Sequence, residues 1–169
     1  MTEQFSGDKS DLDTIAKAIG LVVIQWAQAE QSLDMVVALL WQSFGGEAHA
    51  RKLPVMLEPK IRFVRVCVTA NSDLAEFRAD AESLLAEFER LSSLRHDLIH
   101  GAVSSIAPID GHFVFAKLDV RENVHHVREV KVPVTSYPMI MRNLVDLARN
   151  TLELVAALFE RVKAKDGER

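Results

Sequence analysis

The sequence predicts a mainly α protein: a four-helix bundle with a small antiparallel β hairpin or meander inserted before the last helix. Three observations carry that class. Long stretches repeat apolar residues at steps of three and four, the spacing of one helix face. Glycines at 45, 46 and 101 stop those repeats. Between Ala102 and Val134 the period changes to short β-branched runs around the turn dipeptide Asp110-Gly111.

Ser10 or Asp11 is placed to cap a first helix that runs to Phe44. Its stripe is Ile15, Ile19, Val22, Trp26, Leu33, Val37, Leu40 and Phe44, and the member between Trp26 and Leu33 is the charged Glu30. A second helix is expected over Val55–Ala70 with Leu57, Ile61, Val64 and Val68 inward. Pro54 and Pro59 fall near its start, where a missing N–H costs least. Asn71-Ser72-Asp73 breaks it and caps the third, whose face is Leu74, Phe77, Ala81, Leu84, Phe88, Leu91 and Leu98, with Arg95 intruding. In the β insertion, Val103–Ile109 should pair with His112–Leu118. Val130, Val132 and Val134 read as a third strand, with Pro133 marking an edge. Ser136 and Pro138 open the final helix, which buries Ile140, Leu144, Leu147, Leu154, Leu158 and Val162 before residues 163–169 fray. Met141, Val145, Leu152, Val155 and Phe159 widen its apolar face, which makes a homodimer the expected assembly.

At 169 residues and 49% hydrophobic composition the chain can build one core, so a single domain, 1–169, is expected, with residues 1–10 flexible and 102–134 as the β insertion. The formal net charge of -4 argues against nucleic-acid binding through an overall field. RNA contact would need a local patch, from Lys60, Arg62 and Arg65 or from Arg121, Arg128 and Lys131; the plainer reading of both sets is solvated surface. A lone Cys67 excludes an intrachain disulfide and a cysteine zinc site, and its setting in Val66-Cys67-Val68 reads as core. The polar N-terminus does not read as a signal peptide, and Ile19–Ile24 is too short to span a bilayer. A cytoplasmic protein without membrane partners is expected.

Glu30 and Arg95 each occupy a position that helical spacing points inward, and burying either alone is costly. Two readings stand together: the pair neutralise each other, or they mark a polar pocket. After Arg95 come His96, Asp97 and His100, so one turn gathers a cation, a carboxylate and two imidazoles. That set suits RNA phosphodiester chemistry. Histidine moves protons near neutral pH, arginine holds phosphate oxygens through its planar fork, and the ribose 2′-hydroxyl is an internal nucleophile, so no cofactor is required. On an ideal helix Arg95 and His100 lie roughly 140° apart. Convergence would need His100 to sit where the helix unwinds, or a site shared across a dimer. The plain reading of His100 is a C-terminal histidine stabilised by the helix dipole.

The segment Arg95-His96-Asp97-Leu98-Ile99-His100 resembles the signature of the HEPN family: arginine, a polar residue, and a histidine after four to six intervening positions, near the end of the third main helix of a helical bundle. The resemblance implies Arg95 and His100 as the catalytic pair, His96 as the polar residue beside the arginine, and Glu30 as an acidic residue near the pocket. It also implies a metal-independent endoribonuclease in a toxin, defence or RNA-processing role, with a dimeric state and an antitoxin as an expected partner. The alternative is a noncatalytic homodimeric interaction or small-ligand-binding module. His96 and His100, at i and i+4, could also clamp a metal. No Glu-x-x-His pair, Gly-rich phosphate loop, nucleophile elbow or zincin motif is present. His125 and His126 would face opposite sides of a strand.

Overall fold

A computed structural model describes residues 9–105, 107–122 and 124–167. The chain is mainly helical, with four helices and a three-stranded antiparallel sheet ahead of the last, as expected. The elements are α1 (Lys9–Ser43), α2 (Leu57–Ala70), α3 (Arg78–His100), β1 (Ala102–Val103), β2 (His112–Arg121), β3 (Val124–Pro133) and α4 (Tyr137–Gly167). Among the described residues no helix is long and apolar enough to cross a membrane.

Packing divides the chain into two compact units, residues 1–25 with 91–143 and residues 26–90 with 144–169. In the second unit most of the expected stripes are buried: Trp26, Leu33, Val37, Leu40 and Phe44 of α1, Ile61, Val64 and Val68 of α2, Ala81, Leu84 and Phe88 of α3, and Leu144, Leu147, Leu154 and Leu158 of α4, while Leu57, Phe77 and Val162, also expected inward, are half-buried. Trp26 meets Phe88 edge to face, with ring centroids 5.9 Å apart. Cys67 is buried among them, and burial pushes its thiol up to about 11. The helix α1 stops as its glycines demand. Gly45 adopts φ 72, and a Cβ on Gly46 would come within 2.7 Å of both the Leu40 carbonyl oxygen and the Phe63 ring.

Several boundaries differ from expectation. The first helix begins by Lys9 rather than at a cap on Ser10 or Asp11, and residues 1–8 of the expected flexible segment lie outside the described residues. The second helix starts at Leu57, leaving Val55 exposed; Pro59 falls in its first turn, and the first N–H that needs a helical partner, that of Lys60, donates to the Met56 carbonyl at 3.0 Å. A 3₁₀ segment, Ser72–Phe77, precedes α3, with the Asn71 side chain accepting from the Asp73 N–H. The last helix does not fray at Lys163 but continues to Gly167. Lys165 is anchored by Asp73 at 2.5 Å and lies over the Phe44 ring at 4.9 Å.

In the first unit the core comprises Ile15 and Val22 of α1, Leu91 and Leu98 of α3, Phe113, Phe115 and Val132 of the sheet, and Tyr137 and Ile140 of α4. Asp110 and Gly111, at φ 49 and 75, make the expected two-residue turn, and Ile109 and His112 exchange both backbone hydrogen bonds across it. The strand before that turn is a correction. The expected pairing continues Ile109↔His112 in register, whereas Ala102 pairs with Ala116 and Val103 with Phe115, so partner numbers sum to 218 instead of 221. The Ser104 N–H still donates to the Val114 carbonyl at 2.9 Å; beyond it Pro108 cannot donate to a ladder and the Ser105 hydroxyl bonds the Ala107 carbonyl, so Ser105, Ala107 and Pro108 lie outside the strand. The main hairpin is β2–β3, ten residues on each strand. Val134, expected in the third strand, belongs to the 3₁₀ turn Val134–Ser136.

Candidate active site

The first unit positions the motif where α3 ends against the sheet. The Gly101 N–H closes the helix on the Asp97 carbonyl at 3.0 Å. A Cβ at Gly101 would lie 2.6 Å from that oxygen and 2.9 Å from Phe115 Cβ, so only glycine lets the strand approach the helix end this closely. The helix stays regular through His100, so the unwinding that convergence would need does not occur and Arg95 and His100 keep an angular separation of about 140°. The side chain in ring contact with His100 is that of His96, one turn back: the centroids are 4.6 Å apart and tilted by 52°. Both histidines are exposed, and Arg95 is half-buried.

Asp97 faces the sheet. Strand alternation puts Phe113, Phe115, Lys117 and Asp119 of β2 on one face, with Val132, Val130, Arg128 and His126 of β3 opposite them. The aromatic pair enters the core, and Lys117 and Arg128 fall beside the end of α3. Lys117 Nζ donates to Asp97 Oδ1 at 2.6 Å, and Arg128 donates to both carboxylate oxygens at 3.0 and 3.3 Å. Arg128 Nε donates to Asp119 at 3.0 Å. Burial alone would raise the Asp97 carboxyl, but the hydrogen bonds from Arg128 and Lys117 outweigh it and hold the group below the usual carboxylate range. Asp97 is therefore an ionised anchor for the hairpin. Although exposed, His96 is shifted down, first by the partial desolvation of its ring, then by the positive charge of Lys117 and the neighbouring His100. The shift favours its neutral form.

Glu30 belongs to the second unit and takes partners there. Trp26 Nε1 donates to it at 2.9 Å, and the buried Lys60 ammonium lies 3.5 Å from its other oxygen and 2.6 Å from Asp34. The basic patches suggested by sequence are largely neutralised. Arg62 pairs with Glu58, Arg65 with Glu82 and Glu89, and Lys131 with Glu129; the Arg121 side chain lies outside the described residues. Lys117 and Asp119 were not foreseen. Their signal was the alternation itself, since a strand burying Phe113 and Phe115 presents Lys117 and Asp119 on the same face.

Chemically, the arrangement offers two touching imidazoles, one shifted toward its neutral form, with Arg95 and the Lys117 ammonium nearby. Two imidazoles at this spacing can also hold a cation, but among the described residues no set of three or more His, Cys, Asp or Glu side chains is grouped to hold a metal ion. No protein-family model, curated protein or solved structure matches the chain.

Proposed function

We propose that the chain is a metal-independent endoribonuclease of HEPN type whose proton transfers use the His96–His100 pair. The observation that carries the reading is that ring contact, 4.6 Å between centroids, on an exposed helix end beside fixed cations. Neutral His96 takes the proton of a ribose 2′-hydroxyl as that oxygen attacks phosphorus. His100 gives a proton to the leaving 5′-oxygen, producing a 2′,3′-cyclic phosphate and a 5′-hydroxyl end. Arg95 holds the phosphate oxygens, and Lys117 adds positive charge while remaining bonded to Asp97. Asp97 keeps hairpin and helix end together and is a positioning residue. Glu30 plays no part in the transfer.

The test is incubation of the purified chain with mixed RNA in EDTA, alongside His96→Ala and His100→Ala. Cleavage to cyclic-phosphate ends, lost in either variant, is expected. Cleavage that survives both substitutions refutes the assignment. A toxin role in the cytoplasm predicts that expression slows growth and that His100→Ala relieves it, which growth curves check directly.

The second reading, a noncatalytic homodimeric module, is favoured by a different observation: three half-exposed apolar residues on α4 (Val145, Leu152 and Phe159). Retained self-association together with complete inactivity on RNA would favour it.

A further inference from the structure

We infer that the outer face of α4 pairs antiparallel with the same face of a second copy of this chain, about a two-fold axis near Leu152. The inference is independent of whether the histidine pair cleaves RNA. Beside the buried stripe of Leu144, Leu147, Leu154 and Leu158, the helix carries a second apolar row that its own unit leaves in water. Val145, Leu152 and Phe159 are 44%, 53% and 49% exposed and recur at intervals of seven residues. Singly exposed apolar residues are ordinary. A strict seven-residue row is the pattern that keeps one helix facing another along its length.

The face is self-complementary, which identifies the occupant as a second copy. At about 100° and 1.5 Å per residue, Val145 and Phe159 lie within roughly 20° of Leu152, and Ala148 and Ala156 within roughly 40°. A two-fold axis at Leu152 sets Leu152 against Leu152 of the second copy, Val145 against its Phe159, and Ala148 against its Ala156. The large ring thus meets the smaller valine, and each central leucine enters a hole bounded by alanines. On one flank of the row stand Arg149 and Glu153, already 3.8 Å apart within the helix. The same axis brings Arg149 to within about 3 Å, along the helix direction, of Glu153 of the second copy, and repeats the opposite-charge pair across the axis on the same flank. The interface therefore has an apolar centre and a charge-matched rim, as isologous interfaces do.

Light scattering and sedimentation of the full chain test this. The expected mass is twice the 18.9 kDa of one chain, falling to one chain for Leu152→Glu, whose exposed position leaves folding intact by circular dichroism. Arg149→Glu and Glu153→Arg are each expected to weaken self-association more than tenfold by facing like charges. Mixed together, the two variants should form a heterodimer, because every facing pair is then opposite in sign. Leu152→Cys should form a covalent dimer under mild oxidation, with Asn150→Cys as the control on the far flank, since Cys67 is buried. A wild-type mass of one chain, a dimer indifferent to Leu152→Glu, or a mixture that fails to pair would each overturn the inference.

Discussion

Replacing Asp97 with asparagine removes the charge that two cations of the hairpin face, and the structure sets the size of the effect. Asp97 and Lys117 are only 19% and 14% exposed and bonded at 2.6 Å. A fully buried pair costs roughly 3–5 kcal/mol to break, while an exposed one contributes roughly 0–1 kcal/mol. Partial burial with tight geometry places Asp97→Asn at about 2 kcal/mol, a fall in Tm of about 4–8 °C for a chain of this size. Thermal unfolding followed by circular dichroism measures it. Arg62→Ala, which breaks the exposed Arg62–Glu58 pair, serves as the control, expected within about 0.5 kcal/mol of wild type. The Asp97 carboxyl is held below its unfolded value, so its contribution is present above roughly pH 4 and is lost as pH falls through the folded value. The gap between wild type and Asp97→Asn should therefore close in acid. An Asp97→Asn variant as stable as Arg62→Ala at pH 7, or a gap that widens below pH 4, would refute the anchoring role.

The downward shift of His96 predicts an acid limb in the pH profile of kcat/KM with its midpoint below 6.5, activity falling as His96 gains its proton; a midpoint above 6.5 would contradict the base assignment. Gly101→Ala should cost about 1–3 kcal/mol in urea unfolding, because its Cβ would enter the space of the Asp97 carbonyl and Phe115, and an unchanged midpoint would mean that the helix end and β2 are not held in contact.

Much of the fold was legible because its determinants are local. The stripes of α1 to α4, the stop at Gly45-Gly46 and the turn at Asp110-Gly111 depend on spacing or backbone freedom within a few residues. The strand before that turn was misjudged because Pro108 and Ser105 compete with the ladder, an effect that the apolar pattern does not reveal. The site was half legible. The motif identified Arg95, His96, Asp97 and His100, yet the histidine pairing was visible only as an i, i+4 spacing, and the role of Asp97 was not visible at all.

The sequence alone determined which residues could form helices, where they stop, and that one helical turn concentrates two imidazoles, a carboxylate and a cation. Tertiary structure decided which charges meet. Lys60 answers Glu30 from thirty residues away, and Lys117 and Arg128 close on Asp97 from twenty and thirty-one residues away. Such pairings depend on how strands align and on which helix faces pack, and those are settled by burial of the whole apolar surface rather than by any local pattern.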